Sequence, residues 1–593
     1  MATAVGVKGS DVYTTLGLGN SMVALSSLLV RGVDVHTVEQ NIDKILQCVL
    51  HDPRGPEVVE ELFVLAFQTR DIRGGKGERD ASRQMFEALL KTPVTSRLAL
   101  GLLDLVPEYG CWQDLFKLSP VASQRVKDIV KKQIEEDELA LSTFSQTPVW
   151  GWGGEEPPTV KPHAPNLSLL AKWMPREGQP GASEMASLLV PGMMFQGARM
   201  KKYRKRLSAL NKALKTVEIS MCANTWRDIV PGAVPGRAAK KYVKAFLNEK
   251  GTTKKNERAP HDVLRHPDRQ DRMECRQHFQ EHFSKTASGE VTAKGADTLF
   301  PHEVVKKAHS LLNYTDYYNT SYEPMLENGE TDHLRGVWRA MVEAAKTGGG
   351  LGRSLAMCDF SGSMRSSGSN GDTPYWVSMA LGLLISEVTT EEFKNTFLTF
   401  DSTPQMHTLP EGDLFTKLKS FHPDSMSQGT STDFQKAMDL VLARCKAARV
   451  KPGQEPENLI VLTDMAWDEA CGSSGYDQYT GNPYRNVFKT APWQTHVEMI
   501  RESFKRAGED MWGEGQGLKM PTIVIWNIAS TCQDFHATAT TPGVVMLSGW
   551  SPSLFKVLQT KGIVQMTPEE ALKIQLEDAR YDLVRARVRQ FFH

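Results

Sequence analysis

The sequence predicts an α + α/β protein, with an all-α N-terminal part followed by a doubly wound α/β part. Three observations carry this expectation. Apolar residues recur at helical spacing from about residue 40 to 345; beyond 350, short continuous apolar runs alternate with longer helical patterns; and the run Gly348, Gly349, Gly350 marks the change of texture.

Residues 1–40 are expected to form a poorly ordered N-terminal segment, and 41–345 a helical-repeat domain. Within the latter, Asn41 to Leu50, Val58 to Gln68, Arg79 to Leu90 and Arg97 to Leu105 read as amphipathic helices, the last halted just before Pro107. Short helices in series fit a solenoid, although no repeat of fixed period is visible. Two stretches rich in Pro and Gly, Thr147 to Pro165 and Arg176 to Gly192, read as surface loops. In the α/β part, 350–560, strands are expected at Ser354 to Cys358, Thr396 to Phe400, Leu459 to Leu462, Thr522 to Trp526 and Val544 to Leu547. Continuous apolar runs of this length suit parallel strands buried on both faces. Between them lie helical patterns: Trp376, Ala380, Leu384 and Val388 at i+4 spacing, Asp433 to Ala448, and Thr495 to Arg506. Residues 561–593 should end the chain as a charged helix reaching about Gln590, opened by the capping box Thr567, Pro568, Glu569, Glu570.

A chain of 593 residues is long for one core, so two or three domains are expected. Its 70 Lys and Arg balance 70 Asp and Glu, which excludes a uniformly basic nucleic-acid binder and a polyacidic tail protein. Eight scattered cysteines, none paired as CxxC, fit a reducing compartment and exclude a disulfide framework or a Cys-rich zinc module. The most apolar stretches, such as Ser378 to Val388, are about half of the roughly 20 residues that a membrane span needs. With no secretory pattern at the N-terminus, an intracellular, soluble, cytoplasmic protein is expected.

The first α/β strand runs straight into Asp359, Phe360, Ser361, Gly362, Ser363, Met364. Ligands of such sheets bind at the carboxyl ends of the strands, where this Asp-x-Ser-x-Ser cluster falls. A carboxylate and two hydroxyls on one tight turn are hard oxygen ligands, suited to Mg²⁺, Ca²⁺ or Mn²⁺ rather than zinc. Ser431, Thr432, Asp433 offers another hydroxyl at a loop-to-helix junction, and Asp464 ends the strand Leu459 to Thr463. The combination resembles the von Willebrand factor A fold and its metal-ion-dependent adhesion site. That resemblance implies that Asp359, Ser361, Ser363, Thr432 and Asp464 hold one divalent cation, with Thr430 an alternative to Thr432. Neutral hydroxyls leave the cation's charge partly uncompensated and one position open, which fits a partner's carboxylate or phosphate oxygen.

Between Arg199 and Arg272 there are 20 Lys or Arg against 7 acids, so the neutral total conceals a basic segment, 199–272. Its core, Arg199 to Arg206, starts a helix whose positive side chains are expected around most of its circumference, a poor packing surface and a good one for phosphate. The segment Ala66 to Arg79 (AFQTRDIRGGKGER), Tyr109 to Leu115 (YGCWQDL) and Tyr203 to Leu214 followed by Val217 and Glu218 resemble motifs of TROVE-type proteins, the RNA-binding class that includes the Ro autoantigen. The resemblance implies HEAT-like repeats bridged by the von Willebrand-type domain, with structured or single-stranded RNA on basic surfaces. Candidate contacts are Arg73, Lys76 and Arg79 on one loop, and Lys201, Lys202, Arg204, Lys205 and Arg206 on another segment. For Arg70 and Asp71 an internal salt bridge is the expected role. Ser168 to Trp173, Leu299 to Glu303, Ile525 to Asn527 and Ser548 to Ser551 resemble a family described only as a domain of unknown function, over most of the chain and with no activity implied.

Gly74 to Gly77 lacks the spacing of a nucleotide-binding P-loop, and Gly348 to Gly352 precedes a strand where a dinucleotide fingerprint must follow one, so it reads as a hinge. Cys275, His278 and His282 share a helix face but lack a fourth ligand. The expected function is therefore a non-enzymatic RNA-binding ribonucleoprotein component with a cation-dependent ligand site. The alternatives are a scaffold that captures an acidic partner residue or, third, a metal-dependent hydrolase with Asp433 or Asp468 as base.

Overall fold

The computed structural model describes all residues except 1–2, 6–10, 14–19, 50–52, 119, 147–165, 251–262, 313, 317–318, 323–327, 348–350, 366–370, 392, 401–403, 421–433, 466–492, 531–536, 559–565 and 593. The expected loop at 147–165 and the glycine hinge at 348–350 lie outside the described residues. The chain divides into two compact units. One contains residues 1–85, 235–237 and 281–593; the other contains 86–234 and 238–280. The division therefore does not fall at 345–350, because the first 85 residues pack with the C-terminal half.

The first unit is built on a six-stranded mixed sheet. Its strands are β1 (Ser354–Asp359), β2 (Thr396–Phe400), β3 (Met406–Thr408), β4 (Asn458–Thr463), β5 (Thr522–Asn527) and β6 (Val544–Ser548). Their order is β6-β5-β4-β1-β2-β3, parallel throughout except for β3, which runs antiparallel to β2. The five long strands stand where the apolar runs predict them. β1, β4, β5 and β6 are buried at every position, so helices cover both faces. Phe397, Ile460, Val524 and Val545 share a core with helix Pro374–Val388, while Phe400 on the opposite face meets Phe434 at the start of helix Phe434–Ala447, edge to face at 6.5 Å.

Within the segment expected to be poorly ordered, the described residues 20–40 are largely helical. Asn20 caps helix Ser21–Leu28 by accepting from the Met22 and Val23 amides, and Met22 to Leu28 are all buried. A helix this apolar, with only small serines interrupting it, must be enclosed, and its neighbours include β6 and helix Pro568–Leu576. At the other terminus the capping box Thr567/Glu570 forms as expected, but the helix is broken in two, Pro568–Leu576 and Asp582–Phe592. The break is a turn in which Asp578 accepts from the Arg580 amide, bringing Tyr581 into the core.

The second unit is helical. Trp112–Leu115 begins with a capping box in which Asp114 accepts from the Cys111 amide at 3.0 Å, and Ser168 is tied to Asp137 by its amide and by its hydroxyl at 2.6 Å. The expected loop 176–192 contains a helix, Ala182–Leu189, since Ala182, Met185, Ala186 and Leu189 form a buried stripe. Among the described residues no helix is long and apolar enough to cross a membrane.

Candidate functional site

β1 ends in Asp359, and β4 ends in Thr463 followed by Asp464. The last paired residues of the two strands are Cys358 and Leu462, so both aspartates stand at the same carboxyl rim on neighbouring strands. This pair of strand ends is the topological switch point of the sheet. β1 is followed in the chain by β2 on one side of it and β4 by β5 on the other, so the two crossovers diverge from this pair of strand ends.

Both aspartates are 0% exposed. Asp359 Oδ1 accepts from the Ser361 amide at 2.8 Å, which curls the turn and sets Ser361 Oγ 3.1 Å from Ser363 Oγ. Thr463 Oγ1 lies 3.4 Å from Asp359 Oδ2 and accepts from the Met465 amide at 3.1 Å. Thr463 was missed by sequence reasoning; its only signal was a polar residue closing an apolar strand. Met465 sits at φ 68°, a left-handed conformation that costs a non-glycine residue about 1 kcal/mol, and it fixes the chain's exit just after Asp464. Thr432, its alternative Thr430, and Asp433 and Asp468 lie outside the described residues. Asp359, Ser361 and Ser363 on the turn, and Asp464 at the neighbouring strand end, are oxygen ligands of the type that suits Mg²⁺, Ca²⁺ or Mn²⁺. Among the described residues no three His, Cys, Asp or Glu gather into a metal-binding group, so a cation here needs the hydroxyls.

The glycine-rich basic loop is placed differently from its expectation. The Lys76 and Glu78 amides donate to the carbonyls of Gln68 and Thr69, folding the loop back onto helix Gly55–Arg70. Gly75 is required there, since a Cβ would lie 1.9 Å from the Gln68 carbonyl oxygen. Lys76 is consequently turned inward and is 1% exposed. Its ammonium donates to Ser26 O at 2.5 Å, Ser26 Oγ at 3.0 Å and Ser548 Oγ at 2.8 Å. Burial pulls its pKa down to about 7, with Glu78 opposing. Glu78 is also buried and pairs with Arg31 at 3.4 Å; burial raises its pKa against that pairing. The Arg31 guanidinium lies 3.9 Å over Trp550. Asp71, 1% exposed, is gripped through both oxygens by Arg580 and receives the Tyr581 hydroxyl at 3.3 Å. Lys76 is thus corrected from a candidate RNA contact to a buried tie, because no phosphate can reach it. Arg79 is half-buried, and Arg73 is exposed and 3.6 Å from Asp297.

Three sequence-distant motifs meet in this joint. Asn527 donates to the Ser27 carbonyl, Ser548 to Ser26, Ser551 to Ile72, and His302 packs edge-on against Trp550.

The basic core of the second unit lies on helix Gln196–Ala213. Contrary to the expectation from sequence, cations do not surround it, because Met200, Tyr203, Leu207 and Leu210 bury one stripe. The arginines are held: Arg199 by the Ser187 hydroxyl and Met193 carbonyl, Arg204 by Glu177, and Arg206 by both oxygens of Glu138 at 2.7 and 2.6 Å. Lys201, Lys202, Lys205 and Lys212 are exposed.

Comparison with known proteins adds two likenesses. The chain is 25% identical over 502 residues to an uncharacterized protein of Acanthamoeba polyphaga mimivirus, an alignment that covers 83% of this chain and 75% of the viral one. Residues 353–590, which begin just before β1 and include the C-terminal helices, match the model of a family described as Domain of unknown function (DUF7788).

Proposed function

We propose that the α/β unit is a von Willebrand factor A-type binding module whose Asp359, Ser361, Ser363 and Asp464, with Thr432 or Thr430, hold one divalent cation, Mg²⁺ first. Bound there, the cation supplies a Lewis-acidic position for a carboxylate or phosphate oxygen of a macromolecular partner. The protein's own residues hold that position and carry out no reaction on the partner. The observation that carries the reading is the pair of fully buried carboxylates on adjacent strand ends, at the point where the crossovers diverge. Charges removed from water interact more strongly, so a divalent cation beside two such carboxylates would be held firmly.

The test is thermal unfolding with and without Mg²⁺. A ligand at 100 times its Kd stabilises by about 2.7 kcal/mol, so melting should move upward by a few degrees. Asp359→Ala and Asp464→Ala should abolish that increment whatever they do to the metal-free melting point. An equal increment in both variants rejects the site.

A second reading, RNA binding by the helical unit in a cytoplasmic ribonucleoprotein, is favoured by one observation. Lys201, Lys202, Lys205 and Lys212 project outward from one helix without an ion pair among the described residues. HEAT-like repeats would present such a face to a phosphate backbone.

A further inference from the structure

A cavity of about 450 Å³ lies at the amino ends of β5 and β6, the opposite end of the sheet from Asp359 and Asp464. Arg501, Lys505, Glu509, Leu518, Lys519 and Thr522 line it. Its wall is set by close backbone packing. After helix Trp493–Trp512 the chain doubles back along the helix, and a Cβ at Gly508 would lie 2.1 Å from the Leu518 amide nitrogen. At Gly517 a Cβ would meet Lys505 Cγ at 2.8 Å. The two glycines let helix and returning loop touch, so the concavity exists before any ligand arrives.

Three features give the cavity a chemistry. Arg501, Lys505 and Lys519 are exposed cations without an ion pair among the described residues, against one carboxylate, Glu509. Thr522 is 2% exposed, and among the described residues its Oγ1 has no hydrogen-bond partner, whereas buried hydroxyls are as a rule paired. Leu518 and Pro521 are buried and provide an apolar wall. The volume falls in the range of small-molecule sites, roughly 300–1,000 Å³.

We propose that this cavity binds a phosphate monoester of a small hydroxylated molecule, a sugar or nucleoside monophosphate. The guanidinium and two ammonium groups match a dianion through charge-assisted hydrogen bonds. Glu509 accepts from a hydroxyl of the ligand body, which lies against Leu518 and Pro521, and Thr522 gains the partner it lacks. A free inorganic anion would satisfy only the cations.

The experiment is isothermal titration of the full chain, in EDTA, with ribose 5-phosphate, AMP, ribose and inorganic phosphate. The expected result is saturable binding of ribose 5-phosphate or AMP, about tenfold or more tighter than ribose or phosphate. Each charge-assisted contact is worth about 1.5–3 kcal/mol, so Arg501→Glu and Lys519→Glu, both at exposed positions, should each weaken binding by about tenfold or more. Thr522→Val should weaken it a few-fold without lowering the melting temperature. Titration in EDTA, with Asp359→Ala binding like the unchanged protein, keeps the outcome independent of the cation site. Binding of phosphate alone as tightly as of the esters, no saturable binding of any probe, or affinities unmoved by both charge reversals would overturn the proposal.

Discussion

Two segments of this protein, the loop Arg70 to Arg79 with four cations against two acids and the helix Gln196–Ala213 with seven cations and no acid, are both net positive in the sequence and do opposite things in the structure. In the loop, the lysine is enclosed and its neighbours Asp71 and Glu78 are buried with it, each paired to an arginine from elsewhere in the chain. On the helix, the arginines are pinned by Glu138, Glu177 and backbone carbonyls, whereas the lysines stay in solvent. Charge density in a sequence is therefore no measure of surface charge. What separates the two is whether backbone geometry turns the side chains inward, as the glycines and the two amide bonds to Gln68 and Thr69 do in the loop. It also follows the type of cation, since Arg forms fixed bidentate pairs and Lys remains a hydrated point charge.

The sharpest test of this contrast removes the arginine that pairs with the loop's Asp71 and one arginine of the helix. Arg580→Ala leaves the Asp71 carboxylate buried and deprived of its bidentate partner, and breaking a buried pair costs about 3–5 kcal/mol. Arg204→Ala removes a pair whose two side chains are 57% and 51% exposed, where a contribution of at most about 1 kcal/mol is expected. Urea unfolding of both variants reads the difference. Equal losses would dissolve the distinction between joint and surface.

The second test uses pH. The folded pKa of Lys76 is lowered to about 7 by burial, while the unfolded chain holds that proton to about 10.4. Between these values the unfolded state binds more protons, so this lysine's contribution to stability rises with pH and is lost as pH falls through about 7. Its slope approaches about 1.4 kcal/mol per pH unit. Lys76→Met should remove that slope from a stability profile taken between pH 7 and 10, whereas Lys201→Met should leave it unchanged. A profile that keeps its slope in Lys76→Met would show that the ammonium is not the group that titrates.

Legibility followed the same division. The long strands could be read because each is a continuous apolar run, and Asp359 and Asp464 because each closes such a run. β3 could not, being three residues at the sheet's edge with no residue fully buried, too short for any period to register. Helix Ser21–Leu28 was hidden for the opposite reason: burial from Met22 to Leu28 leaves no polar face and hence no helical periodicity. Lys76 was misread because its partners, Ser26 and Ser548, stand 50 and 472 positions away, and neither short spacing nor charge counting detects them. The contacts of Lys76 and Ser26 with Ser548, of Ser27 with Asn527 and of Asp71 with Arg580 tie the first 85 residues to the C-terminal half, with which they form one unit.

The smallest expected effect concerns the helix alone. If its lysines meet RNA, binding weakens with salt as counterions are released, with a slope near 0.7 per neutralised phosphate on a single strand. Replacing Lys201, Lys202 and Lys205 together by Gln should lower the slope of log affinity against log salt by about 2, with unfolding changed by no more than about 0.5 kcal/mol because these side chains are exposed. Filter binding of a single-stranded RNA at several salt concentrations measures the slope. Lys76→Met, compared under conditions where it remains folded, should leave the slope unaltered, since an ammonium enclosed by Ser26 and Ser548 releases no counterion to a phosphate. A slope that falls in Lys76→Met but not in the triple variant would invert the comparison and return RNA contact to the glycine-rich loop.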